Sequence, residues 1–341
     1  MRATTVLSAC LTVALLACTS EGGPTQPDVD GNLVAGAPAL AAARNTWTPK
    51  APAPYDAEFF GYALGMAPNS AGQSIVYAFG GTLNERGGTP LTPVRAYNVA
   101  TDTWTARLSR VNAFYSNGVG KIGNKLYFSG GYNEPGTLPS FTNRTWAYDY
   151  THDRMISKAD LPIFGAEGVT GVIDGKLYVL PGACSGDGWP NAGYCAAEPP
   201  RRFYRYDPAT NTWVTRRQAP HFHRRGAAAV LDGKLYVAGG FKGIAGNEPV
   251  ADLDVYDPAT NTWRTLAPIP AGGAAFGAAL AGKLYAVVSS DVIRAYAYNP
   301  ATNKWTAKAA PDIFGSVVRV TLDGRSYLFT ANGNRSALYT R

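Results

Sequence analysis

Five stretches of this chain share one spelling: a Tyr, a turn, and a large residue seven positions on. They are Tyr97–Trp104 (YNVATDTW), Tyr148–Met155 (YDYTHDRM), Tyr206–Trp213 and Tyr256–Trp263 (both YDPATNTW) and Tyr298–Trp305 (YNPATNKW). Upstream of each runs a second phrase, KLYFSGG at 125–131, KLYVLPG at 176–182, KLYVAGG at 234–240 and KLYAVVS at 283–289, with looser copies IVYAFGG at 75–81 and RSYLFTA at 325–331. A unit of about fifty residues that recurs in this way cannot bury its own apolar face, so neighbouring units must stack to bury it. The 38 Gly and 24 Pro among 341 residues suit strands and turns, and no amphipathic helical stretch competes with them.

One unit, Gly226–Leu266, reads as a four-stranded sheet. Ala227–Leu231 is a small-residue strand suited to a crowded axis, and Asp232-Gly233 is a tight turn that tolerates positive φ. Lys234–Ala238 follows, then Gly239-Gly240 where the backbone needs unusual angles, a loop of about ten residues, and a third strand over Leu253–Tyr256. Pro258 fixes φ in the next turn, and Trp263 brings an apolar face to the outer strand. The second-strand tyrosines Tyr77, Tyr127, Tyr178, Tyr236, Tyr285 and Tyr327 number the units at six. The expected fold is all-β, a six-bladed β-propeller over residues 44–341. The last unit ends at its third strand, Ser336–Thr340, while Asn45-Thr46-Trp47 supplies an outer strand too early. The N-terminal strand is therefore expected to complete the sixth blade and remove the free edge.

Residues 1–17 read as a secretory signal, with Arg2 before an apolar stretch. Leu15-Leu16-Ala17-Cys18 resembles a bacterial lipobox, which makes Cys18 the acylated first residue of an exported lipoprotein, facing the periplasm from the outer membrane or standing at the cell surface. An ordinary cleaved signal is the competing reading. Residues 18–43 are then the acylated terminus and a flexible tether. Cys184 and Cys195 share one Gly- and Pro-rich segment, and an exported protein is expected to bridge them.

The long connections Thr82–Pro93, Tyr132–Arg144, Ala183–Arg202 and Phe241–Ala251 fall on one face of such a ring. Aligning the units places Glu58, Phe59, Phe60, Phe114, Tyr115, Ala166, Glu167, His223, Arg224, Arg225, Gly272, Gly273 and Phe314 at the mouth of the central channel on that face. The net charge of +7 is concentrated as well: Arg201, Arg202, Arg205, Arg216, Arg217, Arg224 and Arg225 oppose only Asp207 within 201–225. Once Arg2 leaves with the signal, bases and acids balance elsewhere. Arginines suit a bidentate grip on carboxylate, sulfate or phosphate, although a solvated basic surface has the same composition. The expected ligand contacts are Arg201, Arg202, Arg224, Arg225, Tyr115, Trp189 and Phe314. Glu58, Glu167 and His223 are the candidates for acid or base chemistry, with an ion pair as the plainer reading of Glu167. His221 and His223 lack a third metal ligand in sequence, so neither a metal nor a cofactor is expected.

The Gly-Gly, Tyr and Trp positions resemble kelch repeats along nearly all of residues 45–341. That resemblance implies a binding propeller whose long-loop face takes a glycan, an anionic saccharide or a protein, while the lipobox pattern implies that it meets the membrane through a lipid anchor alone. Kelch-type sialic acid mutarotases share the layout and imply the alternative, a carbohydrate-processing enzyme using Glu167 or Glu58 with Arg224 or Arg225. Galactose oxidases share the motif, but their copper site needs two His and two Tyr, one crosslinked to Cys; three His and two Cys in one loop do not supply it. Nucleic acid is not an expected partner of an exported protein.

Overall fold

A computed structural model describes residues 44–54, 61–81, 92–111, 116–133, 140–183, 201–242 and 248–341. Among them there is no helix; six four-stranded antiparallel sheets carry the chain, with two short hairpins beside them. From the axis outward, blade one is Ala63–Pro68, Ser74–Phe79, Thr92–Asn98 and Thr103–Val111. Blade two is Val119–Ile122, Lys125–Ser129, Thr145–Asp149 and Arg154–Lys158. Blade three is Val169–Ile173, Lys176–Leu180, Phe203–Asp207 and Thr212–Arg216, and blade four Ala227–Leu231, Lys234–Ala238, Leu253–Asp257 and Thr262–Leu266. Blade five is Ala274–Leu280, Lys283–Ser289, Ile293–Asn299 and Lys304–Lys308. Blade six is Ser316–Leu322, Arg325–Asn332, Arg335–Thr340 and, from the other end of the chain, Thr46–Lys50.

Thr46–Lys50 pairs antiparallel with Arg335–Thr340, Trp47 opposite Tyr339, so the closure expected from the early Trp is present. Each first strand touches the first strands of both neighbours, and the six close a ring. The core is divided among the six blade interfaces. Leu177, Val179, Tyr204 and Tyr206 of blade three meet Tyr127 and Ala147 of blade two, and Leu235, Val237 and Tyr256 of blade four meet Tyr178 and Phe203 of blade three. Near the axis the blades come so close that a Cβ on Gly120 would lie 2.5 Å from Leu177 Cδ1 and 2.6 Å from Val172 Cγ2. The small residues of the first strands are therefore a packing requirement.

The repeated turn does more than reverse the chain. In every blade the Tyr hydroxyl donates to an Asn or Asp on the turn: Tyr97 to Asp102, Tyr148 to Asp153, Tyr206 to Asn211, Tyr256 to Asn261, Tyr298 to Asn303 and Tyr339 to Asn45, at 2.6–2.9 Å. These six residues have φ between 48° and 59°, a region that Asn and Asp tolerate better than other side chains. The same carboxylate or amide oxygen accepts a backbone N–H from an adjacent blade, as from Ala159 to Asn211 and from Ala267 to Asn303, both at 3.0 Å. The Trp indole then donates to the carbonyl of that same residue: Trp213 to Ala159 at 2.8 Å and Trp305 to Ala267 at 2.9 Å. Blade two carries Met155 in place of the Trp and keeps the Asp153 bond to Leu108 N at 2.7 Å.

Candidate functional site

The segment linking one blade to the next crosses the long-loop face and turns down the axis as a first strand. Pairing with the second-strand tyrosines fixes the level: Gly65, Gly120, Gly171, Ala229, Ala278 and Val320 face Tyr77, Tyr127, Tyr178, Tyr236, Tyr285 and Tyr327. Four residues upstream lie Gly61, Ser116, Glu167, Arg225, Ala274 and Ser316. All of these except Ala274 line a central cavity of about 270 Å³, together with Tyr62, Asn117, Phe276 and Phe314. The fifth blade thus contributes Phe276 and Gly277 to the lining, and Gly272 and Gly273, expected there, lie outside it.

Glu167 is the centre of the site. Its carboxylate is buried and accepts from Arg224 Nη1 at 2.7 Å, from Arg225 Nε at 2.8 Å and from Arg225 Nη2. Arg225 N also donates to the Glu167 carbonyl at 2.7 Å, joining blades three and four at the axis. Glu167 and Arg225 have φ of 56° and 57°, in the region where blade one uses Gly61 at 76°. Backbone strain of about 1–3 kcal/mol at each non-glycine is retained only where the surroundings dictate it. Those surroundings are glycines: a Cβ on Gly182 would sit 2.1 Å from the Glu167 carbonyl oxygen, and one on Gly240 2.6 Å from that of Arg224. Arg224 is buried, its guanidinium 5.3 Å from the Phe241 ring centre, while Arg225, whose side chain is 37% exposed, lines the cavity.

Behind Arg224 lies a second polar cluster. Asp254 is fully buried on the third strand of blade four. Its carboxylate is bonded by His223 Nε2 at 3.0 Å, His221 Nδ1 at 3.0 Å and the Thr265 hydroxyl at 2.8 Å. Burial alone would raise its pKa; the bonds from His223, Thr265 and His221 more than offset that and hold the carboxyl below its ordinary value. The other nitrogen of His223, Nδ1, meets the Gly239 carbonyl at 2.9 Å. His223 therefore ties the link that carries Arg224 and Arg225 to the double glycine beneath it, and it does not line the cavity.

The basic window divides between two places. Arg224 and Arg225 stand at the axis; Arg201 and Arg217 lie at the outer rim in a groove with Gln218, Pro220 and Trp263. Arg201 donates to the Pro220 carbonyl at 2.7 Å and stacks 5.4 Å from the Phe222 ring centre, and Arg202 is half-buried beside it. Phe314 lines the cavity and packs on Phe276, ring centres 5.0 Å apart. Glu58, Tyr115, Trp189, Cys18, Cys184 and Cys195 lie outside the described residues, as do Phe59, Phe60 and Phe114. Among the described residues, no three His, Cys, Asp or Glu side chains converge to hold a metal. Two cavity groups escaped the sequence reading. Ser116 sits level with Glu167, its buried hydroxyl without a partner among the described residues. Asn117, fully buried, donates to the Ser129 and Gly165 carbonyls and accepts from Gly168 N, pinning blade two to blade three. Only the position of Ser116, aligned with Glu167, could have drawn attention to either.

Residues 224–270, which span blade four, match the kelch motif, and the described residues form a six-bladed propeller. It is similar to the human kelch repeat and BTB domain-containing protein 12, with 26% identity over 202 residues, which is 56% of this chain; the chain spans about a third of that relative's length, 31%. The solved structure of YjhT covers 86% of this chain and 96% of its own, with a TM-score of 0.63 and 16% identity, a likeness of fold.

Proposed function

We propose that this protein is an exported binding module, held at a membrane by acylated Cys18, that takes an acidic saccharide at the axial mouth of its long-loop face. The observation that carries this reading is Arg225, its side chain 37% exposed, on the wall of a cavity lined also by Tyr62, Phe276 and Phe314. Arg225 presents planar donors to a carboxylate, while the aromatic walls suit the apolar faces of a sugar ring. Strain at Glu167 and Arg225 favours a site built for a ligand over a solvated basic surface.

Titration calorimetry with glucuronate and glucose tests it. Glucuronate should bind, glucose should bind at least tenfold more weakly, and rising salt should erode the difference. Arg225→Gln should remove the preference and leave the fold intact. Equal binding of both sugars, unaltered by salt or by Arg225→Gln, would contradict the proposal.

The small volume of the cavity, about 270 Å³, favours a second reading, a sugar mutarotase. That reading needs a group free to move a proton, whereas Glu167 spends both oxygens on guanidinium groups. Exchange NMR on a bound sugar separates the two: faster anomer exchange that Glu167→Gln abolishes would establish the enzyme, and unchanged exchange the binding module.

A further inference from the structure

The joint between blades three and four departs from its neighbours at three positions, and all three bear on the outer groove. Arg217 is the residue whose N–H donates to Asn261 at 3.0 Å and whose carbonyl accepts from the Trp263 indole at 2.8 Å. Four of the five other joints place alanine there, Ala51, Ala159, Ala267 and Ala309, so the joint itself asks for no charge. Two residues on, Ala219 N donates to the Arg201 carbonyl at 3.0 Å. In the joints on either side the matching bonds run from Leu161 to Asn143 and from Ile269 to Ala251. A small Ala219 thus stands where the neighbours bury Leu or Ile, and Arg201 stands where they carry an uncharged side chain.

Arg201 is held in place. Its Nη1 donates to the Pro220 carbonyl at 2.7 Å, its guanidinium lies 5.4 Å from the Phe222 ring centre, and its Nε has no partner among the described residues. Arg217 and Gln218 are exposed, and the half-buried Trp263 lines the groove with them. No acidic side chain is part of the lining. Two cations without a carboxylate attract a doubly charged anion more strongly than a singly charged one, and the planar guanidinium matches phosphoryl oxygens. At about 590 Å³ the groove has room for more than a phosphate ion, and an indole offers an apolar face to an organic group.

We infer that the outer groove is a phosphoryl site, taking a small phosphate monoester with its organic part against Trp263, or phosphate itself. The phosphoryl oxygens meet Arg201 and Arg217 together. The groove shares no lining residue with the axial cavity, so the site does not depend on what the axial mouth holds.

Calorimetric titration of the full chain in phosphate-free buffer tests it, with phenyl phosphate, inorganic phosphate, benzoate and phenol. Phenyl phosphate should bind about tenfold more tightly than benzoate or better, phenol should not bind, and rising salt should weaken both phosphates. Phenyl phosphate ahead of inorganic phosphate identifies the monoester; equal or tighter binding of inorganic phosphate identifies the ion. Arg217→Ala restores the residue of the other joints and so keeps the fold, and it should weaken both phosphates about tenfold. Arg201→Gln should weaken them at least as much. Benzoate binding as tightly as phenyl phosphate, phosphate binding that Arg225→Gln removes and Arg217→Ala spares, or no binding of either phosphate would overturn the proposal.

Discussion

Asp254 is a charged residue between Leu253, Val255 and Tyr256 of its strand, all buried with it. Nothing in that setting solvates a carboxylate, so the two histidines and Thr265 must do so. Its pKa is depressed in the folded protein. The stabilisation is accordingly present above the ordinary carboxylate value, near 4, and drains away as pH falls below it. Asp254→Asn should cost about 1.5–3 kcal/mol at neutral pH, the scale for hydrogen bonds to a charged group. Urea midpoints of the two proteins should draw together as pH falls below about 4; a gap that stays constant with pH would show that the charge is not what stabilises. His223 takes its meaning from the same contact. As a candidate base in sequence it was one residue from the arginines; in the structure it is wholly enclosed and holds them in place.

The repeated Tyr-turn-Trp element was legible as an element and not as a joint. Tyr298, Pro300 and Asn303 announce strand, turn and positive φ from local chemistry alone. The partner of Asn303, the N–H of Ala267, lies 36 residues away on a different blade, and no local pattern names it. The ion pair at the axis was more accessible, because units of one period place Glu167 and Arg225 at equivalent levels and thus beside each other. Asp254 had no such guide, since its equivalents are Arg95, Trp146, Tyr204, Tyr296 and Ala337. Asn303→Ala would leave the Tyr298 hydroxyl and the Ala267 N–H without their shared acceptor, and would set alanine at a φ of 52°. It should cost about 2–3 kcal/mol by denaturant unfolding. Asn303→Asp should be nearly silent, because Asp102 and Asp153 already do the same work in blades one and two; equal losses from both variants would mean that the oxygen is not the joint.

At the scale of the molecule, the ring is closed by its two ends. Asn45 accepts from the Tyr339 hydroxyl at 2.9 Å and from Ala309 N at 3.1 Å, and Trp47 donates to the Ala309 carbonyl at 2.8 Å. Removing residues 44–50 takes away a strand, this joint and the cover of an edge. Several kcal/mol at about 2–4 °C each should appear as a large fall in melting temperature, whereas removing residues 19–43 should leave it unchanged. Equal melting of the two truncations would refute closure by the termini. Membrane attachment is a separate matter: Cys18→Ala should move the protein from the membrane fraction to the soluble one, and an unchanged distribution would remove the anchor from the proposal. The central claim, that the mouth of the ring holds an acid, is met most directly by a crystal structure with glucuronate bound. Its carboxylate should lie within hydrogen-bond distance of the Arg225 guanidinium, over the axial cavity. Density instead in the outer groove of Arg201 and Arg217, with the mouth empty, would contradict it.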